Sequence, residues 1–155
     1  IGKYVPAPGP ALTIDPLPCT FDRAVKMIAD ISTGNVFFWI NNDLGANYDS
    51  GKLSCGINAG AEGKNLVMDM AGTDVMISTL TGPYPVHIEM TFWKVGSTLQ
   101  FRGESLVCRN GTNLTFDTFG GVYNVAGPYT RFDFKNGPMQ PMGGEFQFFE
   151  SVYAF

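Results

Sequence analysis

From Gly34 to the end of the chain, apolar and polar residues alternate in short runs that Gly, Pro and Asn-Gly interrupt. A period of two marks a strand with one buried face. The pattern predicts strands over Val36 to Asn41, Leu53 to Ile57, Asn65 to Met70, Asp74 to Leu80, Pro85 to Val95, Thr98 to Arg109, Asn113 to Phe119, Gly121 to Ala126, Tyr129 to Lys135 and Glu145 to Phe155. Their starts recur about every 8 to 12 residues, the spacing of a sandwich or barrel. The expected fold is a single all-β domain over residues 19–155, an antiparallel β-sandwich of jelly-roll type.

Two segments depart from that rhythm. "FDRAVKMIADI" offers a helical period, with Ala24, Val25, Ile28 and Ile31 on one face and Thr20 or Asp22 as a cap, so one short N-terminal helix is predicted there, ended by Gly34. Residues 1–18 carry Pro6, Pro8, Pro10, Pro16 and Pro18 and read as an extended Pro-rich arm, neither helix nor central strand. Such an arm needs a holder, in its own domain or in a neighbouring subunit.

"PYPVHIEMTFWKVGSTLQFRGES" carries the most chemistry. Gly96-Ser97 can form a two-residue type II′ turn, which sets Val95 opposite Thr98, Trp93 opposite Gln100, Thr91 opposite Arg102 and Glu89 opposite Glu104. Alternation then places Val86, Ile88, Met90, Phe92, Leu99 and Phe101 on a core stripe. His87, Glu89, Thr91, Trp93, Gln100, Arg102 and Glu104 fall on the opposite face. That face unites the sole histidine, one of two tryptophans, an arginine and two carboxylates. An aromatic ring that stacks on the apolar side of a pyranose, beside fixed groups that bond hydroxyls, is what sugar recognition needs. Galectins, which are jelly-roll lectins, use a sheet face of this chemical kind; the His, Asn, Arg and Trp spacing that marks them is absent here, so the likeness is one of residue type. The plainer account of the same face is the solvated side of a half-buried sheet. Trp93 argues for more, because a tryptophan out of phase with the core either meets a second layer or a ligand.

Composition narrows the classes. Charged residues are 15% of the chain against an ordinary share of about 25%, so the surface must draw on Asn, Thr, Ser, Gly and aromatics. Such a surface suits extracellular recognition or subunit packing. A net charge of −4 with ten Lys plus Arg offers no basic patch, which excludes nucleic acid as the expected partner. No apolar run reaches the length of a membrane-spanning helix. The chain opens on Ile1 without a charged-then-apolar leader, which reads as a mature or trimmed chain.

Cys19, Cys55 and Cys108 are spaced too widely for zinc or a CxxC motif, and no metal or cofactor is expected. Their arithmetic allows either one disulfide with a leftover thiol, in three pairings, or three reduced cysteines packed as small hydrophobes. Asn110 and Asn113 head overlapping sequons. "NNDLGANYDSG", residues 41 to 51, is rich in oxygen ligands, yet no register gives the Gly and Glu positions of a helix-loop-helix calcium loop. It reads as an Asx-rich turn, with Asp43, Asn47 and Asp49 as the ligands a looser site would use.

Three functions compete. The leading one is a secreted, non-enzymatic carbohydrate-binding protein, lectin- or adhesin-like, whose partner is a glycan or cell-surface ligand. The second is a structural subunit of a self-assembling fibre, pilus or shell. The tail "GGEFQFFESVYAF" is apolar on both faces, with a slip near Glu150 and Ser151, so it must be central or covered by another chain. Strand-donating pilins likewise have a leading extension and an early disulfide, which Cys19 with Cys55 would supply. A homo-oligomer is expected on either account. The third is a retaining glycosidase, because directly paired Glu89 and Glu104 fall near the carboxyl separation of about 5 to 5.5 Å that such enzymes use.

Overall fold

A computed structural model describes residues 2–58, 61–78, 82–110, 113–137 and 140–154. Twelve strands are present: β1 (Gly2–Tyr4), β2 (Ala11–Ile14), β3 (Arg23–Ile31), β4 (Val36–Ile40), β5 (Tyr48–Asn58), β6 (Ala61–Gly72), β7 (Val75–Met76), β8 (Val86–Val95), β9 (Thr98–Asn110), β10 (Asn113–Tyr123), β11 (Phe132–Asn136) and β12 (Gly144–Ala154). They form an eight-stranded sheet in the order β1-β12-β3-β8-β9-β10-β5-β6 and a four-stranded sheet in the order β2-β11-β4-β7. Every strand pairing is antiparallel. The result is a β-sandwich, all-β as the alternation requires.

The inner faces meet over an aromatic core. Phe38 of β4, Phe92 of β8 and Phe132 of β11 are fully buried, with ring centroids 4.7 to 5.8 Å apart. Phe134 packs on Phe146 at 5.0 Å, which ties the small sheet to β12. Among the described residues there is no helix, and none long and apolar enough to cross a membrane.

Two expectations fail. The segment predicted as a helix is β3, buried at Val25, Met27, Ala29 and Ile31 and exposed at Lys26 and Asp30. Over nine residues a period of two and a period of 3.6 share positions. The choice falls to the sheet because β3 lies between β12 and β8 and pairs its backbone on both sides. Phe21, at φ 61°, also turns the chain out of any helical path, and Thr20 donates to Asp22 instead of capping. The Pro-rich segment is no free arm either. β1 pairs with β12, Gly9 bridges Met142, and β2 pairs with β11 while burying Leu12 and Ile14. Its prolines occupy the connections, where a missing N–H costs nothing.

One predicted break is also absent: the Asn113–Phe119 segment runs on through Gly120 and Gly121 to Tyr123 as a single strand, β10, and the strand predicted over Gly121 to Ala126 stops at Tyr123. Gly121 is there for proximity, because a Cβ on it would strike the carbonyl of Asp49 and lie 2.9 Å from the ring of Phe101. No disulfide forms either, since all three cysteines are free. Cys55 pairs with Phe116 and Cys108 with Leu114, so β10 stands between them. Two inter-strand steps, about 10 Å, exceed what a disulfide spans. Cys19 is buried elsewhere, and that burial pushes its thiol up to about 12.

Candidate functional site

Gly96 sits at φ 59°, as a primed two-residue turn demands, and the hairpin β8–β9 has the expected register: Val95 with Thr98, Trp93 with Gln100, Thr91 with Arg102, Glu89 with Glu104. Val86, Ile88, Met90, Phe92, Leu99 and Phe101 are buried. His87, Arg102 and Glu104 are exposed, while Glu89, Thr91, Trp93 and Gln100 are half-buried on the outer face.

Neighbouring strands extend this face into rows. One row runs Lys26, Thr91, Arg102, Gly120, Gly51, Met68; the next runs Ile28, Glu89, Glu104, Thr118, Leu53, Leu66; a third runs Asp30, His87, Leu106, Phe116, Cys55, Lys64. A depression of about 410 Å³ lies over the first two, walled by Lys26, Glu89, Thr91, Arg102, Glu104 and Thr118. Gly120 and Gly51 carry no side chain, so the row beyond Arg102 is a trough. Met68 closes it, its sulfur 2.8 Å from where a Cβ on Gly51 would stand.

The charges fall into two sets. Lys26 Nζ is 2.6 Å from Glu89 Oε2, which holds the Glu89 carboxyl below the usual carboxylate range. His87 joins the same chain, Nδ1 2.7 Å from Asp30 and Nε2 3.6 Å from Glu89. The hydrogen bond to Asp30 is the main cause that raises its pKa, against a smaller burial effect. Arg102 and Glu104 form the other set: neither makes an ion pair among the described residues. Trp93 Nε1 donates to Gln100 Oε1 at 3.0 Å. With its N–H engaged, the indole has its ring to offer a ligand.

A charged pair is buried inside the sandwich, away from the polar field. Lys52 and Asp117 point into the sandwich, 3% and 0% exposed, with Nζ 3.8 Å from Oδ1. Ser54 donates to Asp117, and Ser105 Oγ lies 3.3 Å from its Oδ2. Lys52 Nζ has no hydrogen-bond partner among the described residues, and burial lowers its pKa, partly offset by Asp117. A small cavity of about 70 Å³ beside it is lined by Ser50, Asp69 and Asp74, and burial raises the Asp74 carboxyl. Periodicity could not have found it: Leu53, Cys55 and Ile57 alternate with Lys52 and Ser54, and Leu114 and Phe116 with Asp117, which assigns the apolar set to the core, whereas the structure exposes Leu53, Leu114 and Phe116 and buries the polar set.

The Asx-rich loop is closed on itself. Asp43 accepts from Gly45 N, Asn47 Nδ2 and Tyr123 Oη at 2.7 to 2.9 Å, and Asp49 accepts from Ala71 N and Asn124 Nδ2. No group of three or more His, Cys, Asp or Glu side chains suited to a metal occurs among the described residues. A larger hollow of about 700 Å³ at the end of the sandwich is lined mainly by the Pro16–Thr20 and Ala126–Thr130 segments, with Lys94 as its one charged side chain. The side chains of Asn110 and Asn113, and with them both sequons, lie outside the described residues. No family model and no curated protein matches this chain.

Proposed function

We propose that the protein is a non-enzymatic carbohydrate-recognition module that works outside the cytosol, with the outer face of β3, β8, β9 and β10 as its binding surface. The observation that carries this reading is the pair of unengaged charges, Arg102 and Glu104, in the depression beside the engaged Lys26–Glu89 pair. Donors and acceptors of both signs, fixed within a few ångströms, suit a neutral ligand rich in hydroxyls, each of which donates and accepts. A phosphate or carboxylate would meet two carboxylates there. Trp93, two residues from Thr91 on the same face, supplies the aromatic ring.

Binding without catalysis is the stronger form of the proposal. Lys26 holds the Glu89 carboxyl down, which suits an ion-paired surface carboxylate and removes Glu89 from the acid role of a retaining pair. A glycan array probed with the wild-type chain, Arg102→Ala and Trp93→Ala is the test. The wild type should retain a defined subset of sugars, and each variant, folded by circular dichroism, should lose at least about tenfold in affinity, the cost of one charge-assisted bond or stacked ring. An array with no bound sugar, or variants that bind as the wild type does, overturns it. Turnover of aryl glycosides that disappears in Glu89→Gln would return the enzyme reading.

A further inference from the structure

Most of the large exposed apolar side chains of the outer face gather toward β6 and away from the polar field of β3 and β8. At the far edge of the large sheet the outer face exposes Leu53, Leu66, Met68, Met70, Leu106, Leu114 and Phe116. Leu66, Met68 and Met70, all on β6, are 67%, 72% and 81% exposed. Leu53, Leu106, Leu114 and Phe116 lie behind them on β5, β9 and β10, so the apolar residues that stand on the edge itself are those of β6. β6 is also the last strand of the sheet, twelve residues long, and alternate peptide groups along it point away from β5 with no strand beyond them among the described residues.

We infer that this edge is a homodimer interface, in which β6 pairs antiparallel with β6 of a second copy about a two-fold axis at Met68. A strand's own copy is its natural complement, since a two-fold normal to the sheet keeps outer residues on the outer face. The register follows from side-chain chemistry. With the axis at Met68, Met68 meets its own copy and Leu66 meets Met70, so every apolar side chain of the outer row faces another. Lys64 then faces Gly72, and Val67 faces Asp69; no like charges are opposed. An axis at Leu66 would set Met68 against Lys64 and Met70 against Glu62, burying charged groups on hydrocarbon. The dimer is one continuous sheet of sixteen strands, with both polar fields on the same side. This inference does not depend on what those fields bind.

Light scattering on the eluting 155-residue chain at micromolar concentration tests it. The expected mass is twice 16.9 kDa for the wild type and for the control Phe149→Lys, which lies at the opposite end of the sheet. Met68→Lys and Leu66→Lys should each elute as folded monomers, with unchanged circular dichroism. A monomeric wild type overturns the proposal. So does a mass above the dimer, which would mean open assembly, or a dimer that survives both lysine substitutions in folded protein.

Discussion

Two lysine–carboxylate pairs lie on opposite faces of the same sheet, and they do opposite things. Lys26 and Glu89 meet at 2.6 Å with nearly half of each side chain in solvent. Lys52 and Asp117 stand farther apart, at 3.8 Å, but are sealed between the sheets. The closer pair matters less to stability, because water screens it and either partner can be resolvated when the other is lost. The buried pair has no such refuge. Removing one member strands the other charge in the core, so the Lys52–Asp117 group constrains how β5, β10 and β9 pack, while the Lys26–Glu89 chain is free to serve a surface.

Breaking the buried pair should therefore have the largest effect. Asp117→Ala leaves Lys52 without its partner and should cost about 3 to 5 kcal/mol, lowering the melting temperature by roughly 10 to 15 °C. The double variant Lys52→Met/Asp117→Leu should recover most of that loss, since a packed apolar pair of similar volume needs no partner. Thermal melts of the three proteins decide it. A single variant as stable as the wild type would show that the charge is not sealed. On the outer face, Glu89→Gln should change stability by less than about 1 kcal/mol, and added salt should shrink the difference further.

The smallest effect sharpens the contrast through pH. His87 has a pKa above its ordinary value, held there chiefly by Asp30. A raised pKa means the folded chain binds the proton more tightly than the unfolded one. The stabilisation is complete below the unfolded value of about 6.5 and is lost as pH rises through the folded value. An NMR titration should place His87 above about 6.5 in the wild type and move it downward in Asp30→Asn. A midpoint that does not move would assign the shift to another neighbour.

How much of this was readable from the chain depends on distance along it. The β8–β9 hairpin was legible because its determinants are local: Gly96 fixes the turn, and period-two alternation across ten residues on each side sorts core from surface. The polar field came with it. β3 was not legible, since nine residues fit two periods and only the strands on either side choose between them. β1 and β2 were hidden by proline, whose effect is to forbid some positions without saying what the residues between them will pair with. Gly120-Gly121 looked like a turn, and only the approach of Asp49 and Phe101 reveals it as a close contact inside a strand.

By itself the sequence determined that most of the chain is short strands, and which side chains of the central hairpin share a face, because alternation and turn chemistry act over a few residues. Tertiary structure alone decided which strands became neighbours. It set Lys26 beside Glu89, buried Lys52 with Asp117 across 65 positions of chain, and ended the large sheet on an uncovered apolar strand. Pairing in a sheet joins residues far apart in sequence through backbone groups that every residue carries alike, so side-chain identity reports the face of a strand and not its neighbour.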